Sequence, residues 1–360
     1  MADGIEPVDG VAPVAILIVT YNSAADLPGF FDAVRALEPR PRELVVVDCD
    51  SRDGSVEIAR GAELGEIRHQ VYALGENRGF SGGMNAALRH STAPFVLALN
   101  ADAAPSPDFL DRLLIHFVAP RTAAATGRLV RPVSSSGERL LDACGMHLHP
   151  AWRHFDRGSG EPDRGQLMTA EHVFGGTGAA TLYRRTALED VAFPDGEVFD
   201  ELFHSYREDA ELCFRFHERG WRVVYEPRAV AEHRRRAVPS NRRTLPKAVN
   251  RHSLKNRYLL RAYHQTRSNL VRTLLPATAR DLAALIYVLL IERSSFAAYL
   301  WLWRHRRTVR DRRRYVQSRR TAPDHELERW FTTDALPLTD LALDRDPAFD
   351  GDAAAESHRT

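Results

Sequence analysis

Cysteine is scarce in this sequence, and the few cysteines form no recognisable pattern. Cys49, Cys144 and Cys213 are odd in number and lie far apart within the 360 residues. This excludes a framework of disulfide bonds and a CxxC zinc site, and it fits a protein of a reducing compartment. A GxGxxG loop is also missing after the first strand-like segment, which argues against a dinucleotide-binding site.

Long apolar segments are lacking as well. The first 13 residues are acidic and contain neither a basic nor an apolar stretch, so we expect no secretory signal. The apolar run at residues 282–291 is ten residues long, whereas a spanning helix needs about 20. Charged residues separate it from a second apolar segment at residues 296–303. We therefore predict helices that lie at a membrane interface rather than cross the bilayer.

The net charge of +1 hides a strong asymmetry along the chain. Residues 233–320 contain 23 Lys or Arg and three acidic residues, whereas residues 321–360 contain ten acidic residues and three Arg. A basic block of this size indicates a membrane surface, a nucleic acid or a phosphate-bearing substrate. The block also contains aromatic residues that suit lipid headgroups: Tyr287, Tyr299, Trp301 and Trp303. We expect an anionic membrane surface and no nucleic acid; the alternative is a helical domain that packs on the core.

Residues 14–120 alternate between strand-like and helix-like segments. Short β-branched apolar runs predict buried strands at residues 14–22, 43–51, 68–74 and 93–102. Helical periodicity between them predicts helices at residues 26–37, 55–63 and 81–90. This alternation implies a parallel sheet with right-handed crossovers, which binds ligands at the carboxyl ends of its strands.

Polar side chains collect where three of these strands end. In chain order they are Thr20, Tyr21 and Asn22; Asp48, Asp50 and Ser51; and Asn100, Ala101 and Asp102. A glycine-rich loop at residues 77–85 precedes a predicted helix, and its glycines would allow the backbone to approach a ligand closely. These residues predict a ligand site on one edge of the sheet.

The run FDELFHSYREDAELCFR at residues 199–215 places acidic residues in an apolar and aromatic segment. The spacing of its apolar residues predicts a helix that carries Glu208, Asp209 and Glu211. Three carboxylates would repel one another there, and such a cluster suits a general base. A capped, solvated helix turn is the alternative. Elsewhere, residues 133–170 predict a loop or hairpin, and residues 220–233 predict strands that end at His233.

Nine motifs between residues 14 and 263 occur in an order that is typical of one enzyme family: VTYN, VVVDCDSRDGS, ENRGFSGGMNAAL, LALNAD, FGGTGAATLYRR, YREDAELCFR, GWRVVYEP, EH and KNRY. With them the chain resembles the inverting GT-A glycosyltransferases of family two, and most of all their bacterial rhamnosyltransferase-like branch. The resemblance implies an α/β fold: a Rossmann-like, nucleotide-binding parallel or mixed sheet flanked by helices, with a basic helical C-terminal extension.

This resemblance, together with the charge pattern, predicts how the chain is divided. Residues 1–13 are expected to be disordered, and residues 14–265 to form the catalytic domain. Its nucleotide-sugar half would be residues 14–120 and its acceptor half residues 121–265. A basic amphipathic, membrane-associating region would follow at residues 266–320, and an acidic tail at residues 321–360.

The resemblance also implies which residues bind the donor. Thr20, Tyr21 and Asn22 would frame the base and ribose, and Asp48 would accept from a pyrimidine imide N–H, although it could instead cap the next helix. The donor set also includes Asp50, Ser51, Asn77, Arg78, Gly79, Asn85, Asn100 and Ala101. Arg78 is the natural charge partner of a phosphate. Asp50 departs from the Asn of many relatives, which would alter ribose or phosphate contacts.

The same resemblance assigns the metal and the base. Asn100, Ala101 and Asp102 stand in the place of the DxD motif, so Asp102 would bind Mg²⁺ or Mn²⁺ and His233 would complete the site. Asp209 matches the catalytic base, and Glu208 would raise its pKa or bind the acceptor.

Four residues are expected on the acceptor side: Gly175, Gly176, Thr177 and Arg207. Arg207 replaces an aromatic residue of the family, which would alter the choice of acceptor.

The sequence thus predicts a metal-dependent, inverting hexosyltransferase of cell-envelope polysaccharide synthesis. Rhamnose from dTDP-rhamnose is the expected sugar, and a lipid-linked glycan the expected acceptor. We expect the protein in the cytoplasm, peripheral on the inner face of the cell membrane. The alternatives are a transferase that uses another donor such as a UDP-hexose, and an inactive nucleotide-binding scaffold of a membrane-bound assembly complex.

Overall fold

The chain folds around one mixed β-sheet that is covered by helices. The computed structural model describes residues 5–134, 137–235 and 246–338. Its strands are β1 Val11–Thr20, β2 Arg40–Asp48, β3 Arg68–Ala73, β4 Phe95–Leu99, β5 Ala103–Pro105, β6 Thr122–Val130, β7 Leu141–Ala143, β8 Met146–His149, β9 Arg153–Asp156, β10 Glu171–Val173, β11 Ala180–Arg184, β12 Arg222–His233 and β13 Ala335–Pro337. Its α-helices are α1 Leu27–Arg35, α2 Ser55–Arg60, α3 Gly79–Arg89, α4 Phe109–Leu114, α5 Arg185–Val191, α6 Glu208–Glu218, α7 Lys247–His264, α8 Arg267–Leu290, α9 Phe296–Arg304, α10 Arg306–Arg319 and α11 Asp324–Glu328.

The main sheet joins a parallel half to a mixed half, in which β12 is parallel to β6 and the other pairs are antiparallel. Its order is β13-β10-β12-β6-β11-β4-β1-β2-β3, with β5 beside β12 and β7 beside β6. β1 pairs in parallel with β2 and β4, and β2 with β3. β11 is antiparallel to both β4 and β6. The predicted parallel arrangement of the first four strands is therefore confirmed, and the later strands make the whole sheet mixed.

Strand β1 shows why the strand segments are apolar at nearly every position. Val14 and Ile16 pack in the core cluster that includes α1, whereas Ala15 and Leu17 pack in the cluster that includes α3. Helices therefore cover both faces of the strand. Because both faces are buried, both consist of apolar residues. The strand begins at Val11, so the last residues of the segment that we expected to be disordered belong to the sheet.

The short strand β5 places two distant segments side by side. Ala103 of β5 pairs with His233, the last residue of β12, in antiparallel register. The backbone amide of Arg234 donates a 3.0 Å hydrogen bond to the carbonyl oxygen of Asp102. The fold therefore brings Asp102 and His233 together at one end of the sheet.

A hairpin lies in the stretch for which the sequence predicted a loop or hairpin. β8 and β9 form a separate two-stranded antiparallel sheet, in which Met146 pairs with Asp156 and His149 with Arg153. The hairpin prediction is confirmed, and β9 lies along one of the cavities described below.

Helix α8 is longer than the apolar run at residues 282–291 suggested. It has 24 residues and a mean hydropathy of 1.5 over its most apolar window, of which 17% is buried. By length and composition alone it could cross a membrane, so the expectation that this segment is too short to span is wrong. Most of its large apolar side chains are exposed: Val271, Leu274, Leu275, Leu282, Leu285, Ile286, Leu289 and Leu290.

Two arginines of the basic block attach α10 to the rest of the protein. Arg312 forms 2.8 Å ion pairs with Asp195 and Glu197, and Arg313 donates to backbone carbonyl oxygens of α7. For these two residues the structure favours the packing alternative over membrane contact. Arg314, by contrast, is exposed.

The first part of the predicted acidic tail belongs to the fold. Trp330 and Phe331 are 1% and 3% exposed, and the ring of Phe331 packs against Trp152. β13 pairs with β10 at one edge of the main sheet. Residues 321–338 therefore pack on the core and add a strand to the sheet, so a separate acidic tail does not start at residue 321. The rest of the predicted tail lies outside the described residues.

Candidate active site

Two cavities meet near the carboxyl end of β4 and share one wall. Their volumes are about 580 and 500 Å³. Both are lined by Phe80, Asn100, Asp102, Ser205 and Tyr206. We name the larger one, which includes Tyr21, the donor-side cavity, and the smaller one, which includes Asp209, the catalytic cavity.

Several residues predicted to bind the donor line the donor-side cavity. They are Tyr21, Asn77, Gly79, Asn100 and Ala101, together with the predicted metal ligand Asp102. Tyr21 is 53% exposed, so its ring offers an open face for stacking. Strand ends and the glycine-rich loop meet here, as expected for an open α/β sheet.

Asp48 is 2% exposed, and its carboxylate accepts hydrogen bonds from residues of the adjoining loops. Its Oδ2 atom accepts from the Thr20 hydroxyl at 2.7 Å, and its Oδ1 atom accepts from the Ser51 amide at 2.9 Å. The Ser51 hydroxyl also accepts from the Asn22 amide at 2.8 Å. These bonds hold the loops at the ends of β1 and β2, and Asp48 does not cap the next helix, since α2 begins after Gly54 without a side-chain cap.

Two residues at this edge have a left-handed backbone. Asn22 and Asp50 have φ angles of 53° and 69°. Asn and Asp tolerate this conformation better than most residues, because their short polar side chains can bond locally. Asp50 in place of the family's Asn therefore preserves the backbone geometry of the loop.

The start of α3 packs against residues 204–205. The amides of Phe80 and Ser81 donate to the Ser205 hydroxyl and to the His204 carbonyl at 3.1 and 3.0 Å. Gly79 has a φ of +67°, and a Cβ atom there would lie 1.6 Å from Nδ1 of His204. Packing against His204 thus requires the glycine, which also lies on the wall of the donor-side cavity.

Arg78 and Asn85 hold the segment that precedes the acidic cluster. Arg78 forms a 2.6 Å ion pair with Glu201. Asn85 is 2% exposed; its side chain accepts from the Val198 and Phe199 amides and donates to the Phe199 carbonyl. The Asn85 side chain is thus engaged by backbone groups of residues 198 and 199, and the Arg78 guanidinium is already paired with a carboxylate.

Asn85→Ala is expected to lower the free energy of unfolding by about 2 kcal/mol or more, because it leaves buried backbone groups of residues 198 and 199 unsatisfied. Chemical denaturation measures this loss. Arg89→Ala, at the exposed end of the same helix, serves as the control and should change stability little. Unchanged stability together with a large loss of donor affinity would return Asn85 to the donor site.

Asp102 and His233 belong to a buried chain of charged groups. Nε2 of His233 lies 3.2 Å from Oδ1 of Asp102, and Nδ1 lies 2.7 Å from Oδ2 of Asp142. Arg235 forms a 2.9 Å ion pair with Asp142. Burial alone would lower the pKa of His233, but hydrogen bonds to Asp102 and Asp142 raise it to about 9. Asp142, which the sequence did not single out, fixes the imidazole orientation.

The same residues offer donor atoms that suit a divalent cation. Asp102 supplies carboxylate oxygens, and His233 supplies an imidazole whose other nitrogen is held by a carboxylate, as is usual for metal-ligating histidines. Mg²⁺ takes one or two protein carboxylates and completes its shell with water and phosphate oxygens. Within the described ranges, no group of three or more His, Cys, Asp or Glu side chains forms a protein-only centre. The site fits a cation that protein and phosphates would hold jointly.

Glu208 and Asp209 begin α6 at the catalytic cavity. The carboxylate of Asp209 accepts from the Gly178 and Ala210 amides at 3.0 and 2.8 Å, but burial dominates and raises its pKa. Burial and the charge of Asp209 raise the pKa of Glu208 well above its ordinary value. Glu208 is 6% exposed, and its Oε2 atom has no hydrogen-bond partner among the described residues. Glu208 therefore combines a raised pKa with an unpaired carboxyl oxygen beside the catalytic cavity.

The helix that carries these acids begins at Glu208 and not at residue 199. His204, Tyr206 and Arg207 have φ angles of 66°, 71° and 74°, which a right-handed helix does not accommodate. The helix expected over residues 199–215 is therefore correct only in its second part. The apolar spacing before Glu208 reflects a packed loop.

Glu211 is not part of the catalytic pair. It is fully buried, forms a 2.7 Å ion pair with Arg215 and lies 3.5 Å from His264. Burial raises the pKa of Glu211, but Arg215 and His264 outweigh it and lower the pKa. Arg215 and His264 therefore compensate the charge of Glu211. The expected repulsion between carboxylates remains only between Glu208 and Asp209.

Helix α7 stabilises the loop before Glu208, in which His204, Tyr206 and Arg207 have positive φ angles. The side-chain amide of Asn256 donates to the carbonyl oxygens of Phe203, Ser205 and Tyr206 at 2.9, 2.8 and 2.6 Å. Lys255 donates to another carbonyl of the same loop. Both residues belong to the KNRY motif, whose spacing in the sequence does not reveal this contact.

The residues predicted for the acceptor side divide into two groups. Thr177 and Arg207 line the catalytic cavity. A Cβ atom at Gly175 would lie 2.7 Å from a sulfur atom of α6, and one at Gly176 would lie 2.4 Å from a hydroxyl of β11. The two glycines thus allow close packing behind the cavity wall.

The opposite wall of the catalytic cavity consists of residues that no sequence motif indicated. Its ionisable residues are Arg153, His154 and Asp156 of β9, together with Arg235, which pairs with Asp156 at 2.5 Å. No motif marks this strand. The only available signal was the cluster RHFD inside the predicted hairpin.

Comparison with known proteins gives one family and several relatives. Residues 15–192 match the family model Glycosyl transferase family 2. The chain is 31% identical over 221 residues to a pre-mycofactocin glycosyltransferase of Mycobacterium tuberculosis (strain CDC 1551 / Oshkosh). That alignment covers 61% of this chain and 42% of the relative, so the chain spans less than half the length of that protein.

Two solved structures are similar in fold. GalNAc-T7 with UDP, GalNAc and Mn²⁺ aligns with a TM-score of 0.54 and 12% identity over 69% of this chain and 47% of its own. The mannosyltransferase PcManGT from Pyrobaculum calidifontis, in complex with GDP-Man and Mn²⁺, aligns with a TM-score of 0.50 and 20% identity over 91% of this chain and 92% of its own. The predicted GT-A-like fold with a C-terminal helical region is confirmed.

Proposed function

We propose that the chain transfers a sugar from a nucleotide-diphosphate donor to a glycan acceptor and inverts the anomeric configuration, as the match of residues 15–192 to the family model Glycosyl transferase family 2 suggests. The observation that carries this proposal is the shared wall of the two cavities. Asp102 lies in both cavities, and Asp209 lies in the catalytic cavity. A donor and an acceptor would therefore meet between a group suited to phosphate chemistry and a group suited to proton transfer.

Asp209 is the proposed general base. It would take the proton from the acceptor hydroxyl as that oxygen attacks the anomeric carbon, and the nucleotide diphosphate would leave from the opposite face. The Gly178 and Ala210 amides orient its carboxylate. A single displacement of this kind inverts the configuration.

Glu208 is the proposed acceptor-binding group. Burial and the charge of Asp209 raise its pKa well above the ordinary value, which favours the protonated form of its carboxyl group. A neutral carboxyl group both donates and accepts hydrogen bonds, so its unpaired oxygen suits a sugar hydroxyl.

Asp102 and His233 would hold a divalent cation. When bound there, the cation would neutralise charge that develops on the departing diphosphate. Asp142 keeps the imidazole of His233 oriented, and the pairing of β5 with β12 keeps the two ligands adjacent.

For the donor we propose dTDP-rhamnose, with a UDP-hexose as the alternative. The proposal rests on the resemblance to rhamnosyltransferase-like enzymes and on the open ring of Tyr21 beside the donor-side cavity. A panel of nucleotide sugars, assayed by release of the nucleoside diphosphate, tests it. If donors bind but none is hydrolysed or transferred, the inactive scaffold replaces the enzyme.

The transfer rate is expected to fall on the acid side at a higher pH than an ordinary aspartate would give. Burial raises the pKa of Asp209, and the base acts only when ionised, so activity is lost as the pH falls through that raised value. The measurement is kcat against pH with saturating donor. Calorimetric donor binding over the same range is the control, and an acid limb at the pKa of an exposed aspartate would contradict the base assignment.

We propose that the protein acts at the cytoplasmic face of the cell membrane in envelope polysaccharide synthesis. Support comes from the exposed apolar side chains of α8 and from Phe296 and Trp303 of α9, which are 47% and 62% exposed. Flotation with anionic vesicles tests this, and a protein that stays at the bottom of the gradient argues against it.

A further inference from the structure

A third cavity opens beside the catalytic cavity, between α7 and α8. Its volume is about 420 Å³, and it shares Arg207 and Ser253 with the catalytic cavity. The two spaces are therefore contiguous at the residue that precedes the proposed acids.

Arginines surround the junction of these two cavities. They are Arg153 and Arg207 on the catalytic side, and Arg207, Arg257 and Arg280 on the side of α8. Burial and the neighbouring charges of Arg257 and Arg153 lower the pKa of Arg207 to about 10. Guanidinium groups that lie this close together repel one another. An anion that binds between them relieves this repulsion and is therefore bound favourably.

In the described part of the chain, carboxylates pair directly with only some of these arginines. Asp281 pairs with Arg257 at 2.5 Å and also with Arg261. Across the described ranges, neither Arg153 nor Arg207 has a carboxylate oxygen within 4.0 Å: Arg207 contacts His154, and Arg153 lies over the ring of Phe155.

The other wall of this cavity is apolar. It is formed by Ala283, Ala284, Tyr287 and Val288 of α8. On the same part of the helix, Leu282, Ile286 and Leu289 are 57%, 56% and 49% exposed. A positively charged inner end thus continues into an apolar, exposed outer end.

We propose that this arginine-lined cavity binds the phosphate or diphosphate of a lipid-linked acceptor, with the hydrocarbon chain along α8. The proposal rests on the proposed function and specifies its acceptor. The arginines take the anionic group, which places the glycan in the catalytic cavity near Glu208 and Asp209. An acceptor with charge at one end and a long apolar chain at the other matches this sequence of surfaces.

The test measures calorimetric binding of three probes to the full chain: farnesyl diphosphate, inorganic diphosphate and farnesol. Chelator is present, so that metal-assisted binding of diphosphate at Asp102 does not contribute. Arg153→Gln and Arg280→Gln should each weaken farnesyl diphosphate binding about tenfold, the effect of one charge-assisted hydrogen bond. Arg272→Gln, an exposed arginine of α8 outside the cavities, should leave it unchanged.

A further variant tests the apolar wall. Ala283→Asn, which adds a polar but uncharged side chain, should weaken binding of farnesyl diphosphate and farnesol, but not that of inorganic diphosphate. Unchanged binding in both arginine variants, or an equal loss in Arg272→Gln, overturns the proposal. Inorganic diphosphate that binds as tightly as farnesyl diphosphate shows a free phosphate site and overturns the lipid assignment.

The donor panel keeps this inference separate from the proposed function. Donor hydrolysis without the arginine effects refutes the acceptor site alone. The arginine effects without hydrolysis of any donor refute the transferase and leave a lipid-phosphate site.

Discussion

Asp209→Asn is expected to lower the rate of transfer about 10³-fold, within the range that general-base catalysis contributes, while donor affinity stays nearly unchanged. The amide cannot accept a proton from the attacking hydroxyl, but it is almost the same size as the carboxylate. Its oxygen can still accept from the Gly178 amide, so the start of α6 should keep its shape. The measurements are single-turnover transfer and calorimetric donor binding.

Asp111→Asn, an exposed substitution on α4, is the matched control and should leave both quantities as they are. If the Asp209 variant loses donor affinity in proportion to its rate, Asp209 acts in binding and not as the base. Thermal unfolding of the variant detects any change caused by folding alone.

Asp102→Ala is expected to lower transfer about 100-fold or more, because a bound cation contributes several kcal/mol of charge stabilisation. The variant should also bind the donor more weakly and lose most of its response to added Mg²⁺ or Mn²⁺. His233→Ala should lose less, because the carboxylate of Asp102 remains and Arg235 still neutralises Asp142.

Titration of donor affinity with Mn²⁺ distinguishes the two variants, since it reports cation binding without relying on turnover. Full activity of the wild-type protein in excess chelator would remove the metal assignment from both residues. A stability loss equal for both variants, with the metal response intact, would indicate a structural role.

The parallel half of the fold could be predicted because each strand is buried on both faces. Ile16 and Leu17 point into different core clusters, so the strand had to be apolar throughout, and this pattern is visible in the sequence. The rule that ligands bind at the carboxyl ends of strands then located Tyr21, Asn100 and Asp102 on the cavity walls.

The role of several polar residues could not be predicted, because it depends on contacts between distant segments. Asn85 resembles a donor-binding residue by position, but it binds backbone groups more than a hundred residues away. Arg78 faces Glu201, whose approach follows from the tertiary fold. Apolar periodicity suggested a helix before Glu208, whereas tertiary hydrogen bonds from Asn256 stabilise a left-handed loop.

The basic block shows the same difficulty on a larger scale. Composition does not distinguish an arginine that faces solvent from one that pairs internally, and Arg312 and Arg314 are close neighbours with different surroundings. Trp330 and Phe331 lie in a segment whose charge suggested a solvated tail, yet both side chains are buried, and Phe331 packs against Trp152.

The contact between Asn256 and the loop at residues 203–206 has a consequence for enzyme engineering. The family match ends at residue 192, but the proposed base Asp209, the proposed metal ligand His233 and Asn256, which holds the loop at residues 203–206, all come later in the chain. A chimera that exchanged only the matched region with a relative would combine one protein's nucleotide pocket with another's loop geometry. Modules meant to retain activity must be exchanged as one piece from β1 through β13.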